Sequence, residues 1–325
     1  MPSDLYACSD TPRPGTARRR RIPRSWCAIG VAASLLMPVP SFGSSPLPVV
    51  TTFSILSDFV KAVGGEAVDV ISLIGAGDDV HAFQPTPTHA RQVAAAHLVV
   101  SNGLGFEGWI DRLVRSSGYR GPLTVATKGL EPLLTSGHSS HGHAHGGQPD
   151  PHAWQSVANV RTYVENIADS LCQIEPSRCG YFRSNAARYV ERLAQLHREI
   201  QQTISALPQE RRKVITSHDA FGYYARDYGV KFLAPVGIST DAAPSAAGVA
   251  RLIRQIRKEK VNAFFIDGIA NDRLIDRIRE ETGGARPGML YSDALSDAAG
   301  PAGTYEAMMR YNTNAIVGAL TGPGR

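Results

Sequence analysis

The sequence predicts an α/β fold of two lobes, each a parallel β-sheet flanked by helices, joined by one long linking helix. Three observations predict it. Short apolar runs alternate with helix-period segments through both halves, and strands separated by helices of this length pair in parallel. Between the halves, residues 176–207 set Phe182, Ala186, Tyr189, Leu193, Leu196, Ile200 and Ile204 three or four apart, which keeps them on one helical face. The chain has 325 residues, enough for two globular lobes.

Taken in order, the strands of the first half are the apolar runs at 49–53, 68–74, 97–101 and 123–126, with helices at 55–63 and 87–95 between them. Pro176 suits the first position of the linking helix, and Pro208 stands just past its end. A helix of about thirty residues spans roughly 45 Å, enough to bridge two lobes. The pattern then repeats, with strands at 213–217, 231–235, 263–267 and 287–291 and helices at 220–228, 246–259 and 272–282. The expected organisation is a leader at 1–43, an N-terminal lobe at 44–158, a helical connection at 159–208 and a C-terminal lobe at 209–325.

Residues 1–43 read as a secretory signal in preference to a disordered basic tail. Arg18 to Arg21 and Arg24 form a basic region, residues 26–39 a short apolar run, and Ser41-Phe42-Gly43 a small-x-small cleavage site. That run is too short for a membrane span. The leader carries six arginines and two aspartates, so its removal takes the formal charge from +5 to +1. The basic balance of the full chain is thus no sign of a nucleic-acid partner. Cys27 stands at the start of the apolar run, not after it, and is not placed for a lipid anchor, so the protein is expected free in the periplasm.

Cys172 and Cys179 are the cysteines left in the mature chain. An even pair in an exported protein points to a disulfide, with Glu175-Pro176 as the turn between two helices. Two thiols binding a metal is the competing reading. Spacing wider than CxxC and an oxidising compartment argue against it.

Four short motifs carry the chemistry: His81 in GDDVHAFQPTP, His152 in PDPHAWQ, His218 in TSHDAFGYYA and Asp293 in LYSDALS. Three imidazoles and a carboxylate form a four-coordinate set suited to a borderline-soft divalent cation, above all zinc. His81 lies on a turn beyond a strand, and His218 and Asp293 directly follow strand patterns, where sites in open α/β sheets form. Two ligands come from each half, so the ion would sit in a cleft between lobes. Asp219 and Asp267 are candidate acceptors for imidazole N–H groups. His89, His97 and His197 read as structural. Two decoys carry no weight: Gly103 to Gly108 satisfies GxGxxG but lacks the later acidic partner, and Ser217-His218-Asp219 has no GxSxG elbow.

With these motifs in this order, the chain resembles the zinc/manganese solute-binding proteins of bacterial ABC importers, the cluster A-I or family 9 binding proteins. SNGLGFEGW at 101–109, GISTDAAPS at 237–245 and EETGG at 280–284 extend the resemblance over roughly residues 49–320. It implies His81, His152, His218 and Asp293 as the ligands, and histidine at the third position implies a zinc type. Departures from the family pattern, at Val80, Gln84, His97 and Ala243, remove no ligand.

Residues 137–147 place His138, His141, His143 and His145 among Gly, Ser and Ala, a composition that cannot build a core. The segment is either a loop with incidental histidines or, as the resemblance implies, an auxiliary low-affinity metal loop. The expected function is a periplasmic high-affinity zinc-binding protein, not an enzyme, that delivers the ion to a membrane permease and its ATPase. A periplasmic metallochaperone is a candidate further partner, and a monomer is expected. The alternatives are a manganese protein of the same class, a zinc-dependent hydrolase and a surface adhesin. The hydrolase reading suffers from four protein ligands filling the tetrahedron and from the lack of HExxH.

Overall fold

The computed structural model describes residues 45–135, 147–241, 243–267 and 272–322. The expected leader and the four histidines of residues 137–147 lie outside them. The first lobe runs β1 (Leu47–Thr51), α1 (Ser54–Gly64), β2 (Val68–Ser72), α2 (Pro87–Ala95), β3 (Leu98–Ser101), α3 (Ile110–Ser117) and β4 (Leu123–Val125). Its sheet has the order β2-β1-β3-β4, and every pairing is parallel. Two long helices follow, α4 (Val157–Ile174) and α5 (Cys179–Ser205). The second lobe contains β5 (Lys213–Ile215), α6 (Gly222–Tyr228), β6 (Lys231–Leu233), α7 (Ala246–Glu259), β7 (Phe265–Ile266), α8 (Asp272–Thr282), β8 (Gly288–Met289) and α9 (Tyr305–Thr321).

In the second lobe β5 pairs with β6 and β7 with β8, again in parallel. A parallel bridge between Ile215 and Phe264 brings the two pairs side by side. The order is then β6-β5-β7-β8, the counterpart of the first sheet. All eight expected strands are present, most of them shorter than expected. The expected long helix starts three residues late, because Pro176–Arg178 forms a 3-10 turn before α5.

Cys172 and Cys179 are joined by a disulfide that ties the end of α4 to the start of α5. Phe182, Tyr189, Leu193, Leu196, Ile200 and Ile204 are buried along one face of α5, as their spacing requires. That helix packs on α1 and α4 and also on α6 and α9. Phe59 of α1 shows the junction: its ring lies 5.6 Å from Tyr163 of α4, 6.3 Å from Tyr189 of α5 and 5.0 Å from Tyr305 of α9. Burial of one such side chain contributes roughly 1.5–3 kcal/mol, and Phe59→Ala would cost about 3–5 kcal/mol.

The main core therefore runs through both lobes, from Val49 and Phe59 to Phe221, Leu290 and Met308. A second, smaller core stands apart from it. Ile215, Leu252, Ile256, Phe264 and Ile278 build it under α7 and α8. The outer layer of the second lobe thus has its own packing, while its inner part shares the first lobe's. No helix among the described residues is long and apolar enough to cross a membrane.

Candidate metal centre

The four residues singled out in the sequence meet. One ligand atom from each of His81, His152, His218 and Asp293 falls within 4.8 Å of all the others. All four stand on loops: His81 between β2 and α2, His152 before α4, His218 after β5 and Asp293 after β8.

Each of these loops is fixed by hydrogen bonds, two of them from nearby in sequence and two from distant elements. Asp79 Oδ1 accepts from the His81 backbone N–H at 2.9 Å, and the Phe106 ring stands edge-on to the imidazole with centroids 4.8 Å apart. Asp150 Oδ1 lies 2.9 Å from the His152 backbone N and 2.8 Å from its Nδ1. Asp267 Oδ2 lies 2.5 Å from His218 Nδ1. The Asp293 loop is held from three elements. Asn312 of α9 bonds both backbone groups of Tyr291, Trp154 Nε1 and Gln155 Nε2 both donate to the Ser292 carbonyl at 2.8 Å, and Ser54 Oγ accepts from Leu295 N.

The carboxylates on Nδ1 of His152 and His218 fix the tautomer: Nδ1 carries the proton, and the Nε2 lone pair points into the centre. Of the two acceptors expected from the sequence, Asp267 has that role and Asp219 does not. The acceptor for His152 is Asp150, which the sequence reading missed. Its signal was the Asp-Pro-His run, in which an aspartate two residues back can fold onto the ring.

His152, His218 and Asp293 are fully buried, and His81 exposes 4% of its side chain. Despite that burial, Nε2 of all three histidines and both oxygens of Asp293 have no hydrogen-bond partner. Each such orphan costs about 1–3 kcal/mol, so five together need an explanation. The distances from Asp293 to the three imidazoles are those of a set that one ion could share. Asp293 lies 3.7 Å from His81 Nε2, 3.6 Å from His152 Nε2 and 3.2 Å from His218 Nε2. A tetrahedral ion with bonds of about 2.0–2.2 Å sets its donor atoms about 3.3–3.6 Å apart.

The electrostatics agree. Burial would raise the Asp293 carboxyl, but the imidazoles of His218 and His152 hold it well below the usual carboxylate range. His81 is lowered by burial, against the opposing pull of Asp293. Burial also works to lower His218, yet the carboxylates of Asp293 and Asp267 outweigh it and push that ring well above its ordinary value. Three carboxylates around three imidazoles make a surrounding suited to a divalent cation.

His81 faces a cavity of about 520 Å³ walled by Phe83, Phe106 and Trp109 of the first lobe and Ile238 and Ser239 of the second. Gln148 and Pro149, which follow residues 137–147 in sequence, also line it. The remaining histidines lie elsewhere: Nδ1 of His89 accepts from Thr86 N at the start of α2, His97 precedes β3, and His197 Nδ1 bonds Tyr228. Gly103 to Gly108 forms a tight turn, with Gly103, Leu104 and Gly105 all at positive φ. The carboxylate of Glu107 closes it by accepting from Asn102 N, Gly103 N and Thr52 Oγ1. This is structural use of glycine rather than a dinucleotide cradle.

Comparison with known proteins agrees with this geometry. Residues 49–319 match the family described as ZnuA, zinc-uptake complex component A, periplasmic. The iron-binding protein YfeA of Yersinia pestis is 32% identical over 287 residues, covering 87% of this chain and 89% of its own. The manganese ABC transporter substrate-binding lipoprotein PsaA of Streptococcus pneumoniae is 26% identical, covering 85% of this chain and 90% of its own. The solved periplasmic zinc-binding protein TroA of Treponema pallidum superposes with a TM-score of 0.76 at 29% identity, over 85% of this chain and 99% of its own.

Proposed function

We infer, for a chain that belongs to the ZnuA family of periplasmic zinc-uptake components, that its cargo is zinc and that His81, His152, His218 and Asp293 are the ligands. At the coarser level the protein is the periplasmic metal-binding component of an ABC transporter, working with a membrane permease and its ATPase. One observation carries the assignment of the ligands: five buried, unpartnered donor atoms converge from four loops, with Asp293 oxygens 3.7, 3.6 and 3.2 Å from Nε2 of His81, His152 and His218. Three nitrogen donors favour zinc over manganese by the usual affinity order. Four protein ligands leave no position for a reacting water, which fits carriage better than hydrolysis.

A manganese or iron cargo is the second reading, and one feature favours it. Both Asp293 oxygens are without partners, so the carboxylate can bind through both and raise the coordination number to five. The names of YfeA and PsaA point the same way. In our reading, cleavage after Gly43 releases a mature chain free in the periplasm, and His138, His141, His143 and His145 collect ions weakly beside the cleft. Residues 44–158 and 209–325 form the lobes, with 159–208 between them. Metal analysis of protein purified without added metal or affinity tag, followed by competition between zinc and manganese, tests the cargo. Zinc retained against excess manganese supports the reading, and manganese displacing zinc overturns it.

A further inference from the structure

The ligands are unequally supported. The loops of His152 and Asp293 are bonded to each other's neighbourhood through Trp154, Gln155 and Ser292, and both border the large shared core. His81 is the one of the four that lines the cavity, so an ion leaving by that route passes it. Release requires the His81 ring to swing away, and whatever holds its loop sets the barrier.

One hydrogen bond at that loop spans 161 residues of sequence. Asp79 uses Oδ1 for the His81 backbone N–H and Oδ2 for the Thr240 hydroxyl, which donates at 2.6 Å. Thr240 lies in the second lobe between β6, whose Leu233 belongs to the small core, and α7, which packs on that core. The carboxylate therefore couples the backbone of His81 in the first lobe to the β6–α7 loop of the second. With the hydroxyl in place, Asp79 is pinned at both oxygens, and the turn that presents His81 cannot swing without breaking a hydrogen bond to a charged group.

We propose that Thr240, acting through Asp79, is a positioning residue that holds His81 on the bound ion and sets the rate at which the ion leaves. The proposal rests on the four-ligand reading of the site. Thr240 does not touch the ion. Its loss should therefore leave the ligand set intact and act on dissociation, the rate through which most affinity differences are expressed.

Cobalt, used in place of zinc for its visible spectrum, supplies the test. Protein carrying half an equivalent of cobalt is mixed with excess chelator, and the decay of its ligand-field bands is followed by stopped flow. Thr240→Val should release cobalt about tenfold faster than wild type, the size expected for one hydrogen bond to a charged group. Its bands before mixing should match wild type, and Thr240→Ser, which restores the hydroxyl, should restore the slow rate. In the Asp79→Ala background, Thr240→Val should add nothing further, because the two act as one unit. Equal rates in wild type and Thr240→Val, or a Thr240→Ser rate as fast as Thr240→Val, would overturn the proposal while leaving the site intact. Wild-type protein without tetrahedral cobalt bands would overturn the four-ligand site and the latch together.

Discussion

The Trp154 indole donates to the Ser292 carbonyl at 2.8 Å across 138 residues of sequence. One partner lies two residues after His152 and the other directly before Asp293, so two of the proposed ligands are braced against each other. Gln155 Nε2 donates to the same carbonyl, and the Tyr305 hydroxyl donates to the carbonyl of Trp154. The brace is built from groups other than the converging donor atoms, so it holds the pair without drawing on them. Preorganisation of this kind raises affinity by lowering the ordering cost of binding.

Trp154→Phe keeps the ring in the core and removes the N–H. It should destabilise the metal-free protein by about 1 kcal/mol, the net value of one buried hydrogen bond. Zinc affinity should fall with it, because Asp293 is less well held. Urea unfolding of the metal-free variant and competition titration of the loaded one check the two effects separately.

Reduction of the Cys172–Cys179 disulfide should lower stability without changing metal stoichiometry. The bond closes a loop with a sequence separation of 7 at the corner between α4 and α5, and none of the four ligands lies in that corner. Chain entropy puts the loss at about 2–3 kcal/mol. Melting curves and zinc titrations with and without reductant measure both quantities.

Acidification should reverse the advantage of the loaded protein. The ion needs deprotonated imidazoles, so zinc-conferred stability is present at neutral pH and lost below about pH 6. In the metal-free protein His218 has the opposite sign. Its raised value stabilises the fold below the ordinary imidazole pKa, and that contribution is lost as pH rises through the raised one. Both trends narrow the gap between loaded and free protein on going from about pH 7.5 to about pH 5.5. Melting temperatures of the two forms at these pH values should converge. A gap that widens on acidification would contradict the ligand set.

The convergence of these residues was legible in the sequence because strand ends in α/β sheets deliver loop residues to one edge, and the motifs of His81, His218 and Asp293 followed such a pattern. What surrounds them was harder to read. Asp150 is a common turn residue, and only the fold shows its side chain turning back onto His152. Asp219 adjoins His218 in sequence, yet the ring points to Asp267, which β7 brings alongside β5. Helix α9 was not placed, because its buried face includes Asn312 and Thr313, which blunt the apolar stripe. Asn312 is there to bind the Tyr291 backbone, so a polar residue that hid the helix also supports the site. The short helix α3 offered too few turns for a periodic signal. The core shared between lobes arises from aromatic contacts such as Phe59 with Tyr305, and sequence periodicity carries no information about such partners.

X-ray absorption at the zinc edge tests the central assignment most directly, on tag-free protein carrying half an equivalent of zinc. Four nitrogen or oxygen donors at about 2.0–2.1 Å are expected, with the outer-shell scattering of three imidazole rings and no sulfur. His218→Ala should reduce the imidazole count by one. A shell of four imidazoles, or one with sulfur at about 2.3 Å, would contradict a site built from His81, His152, His218 and Asp293.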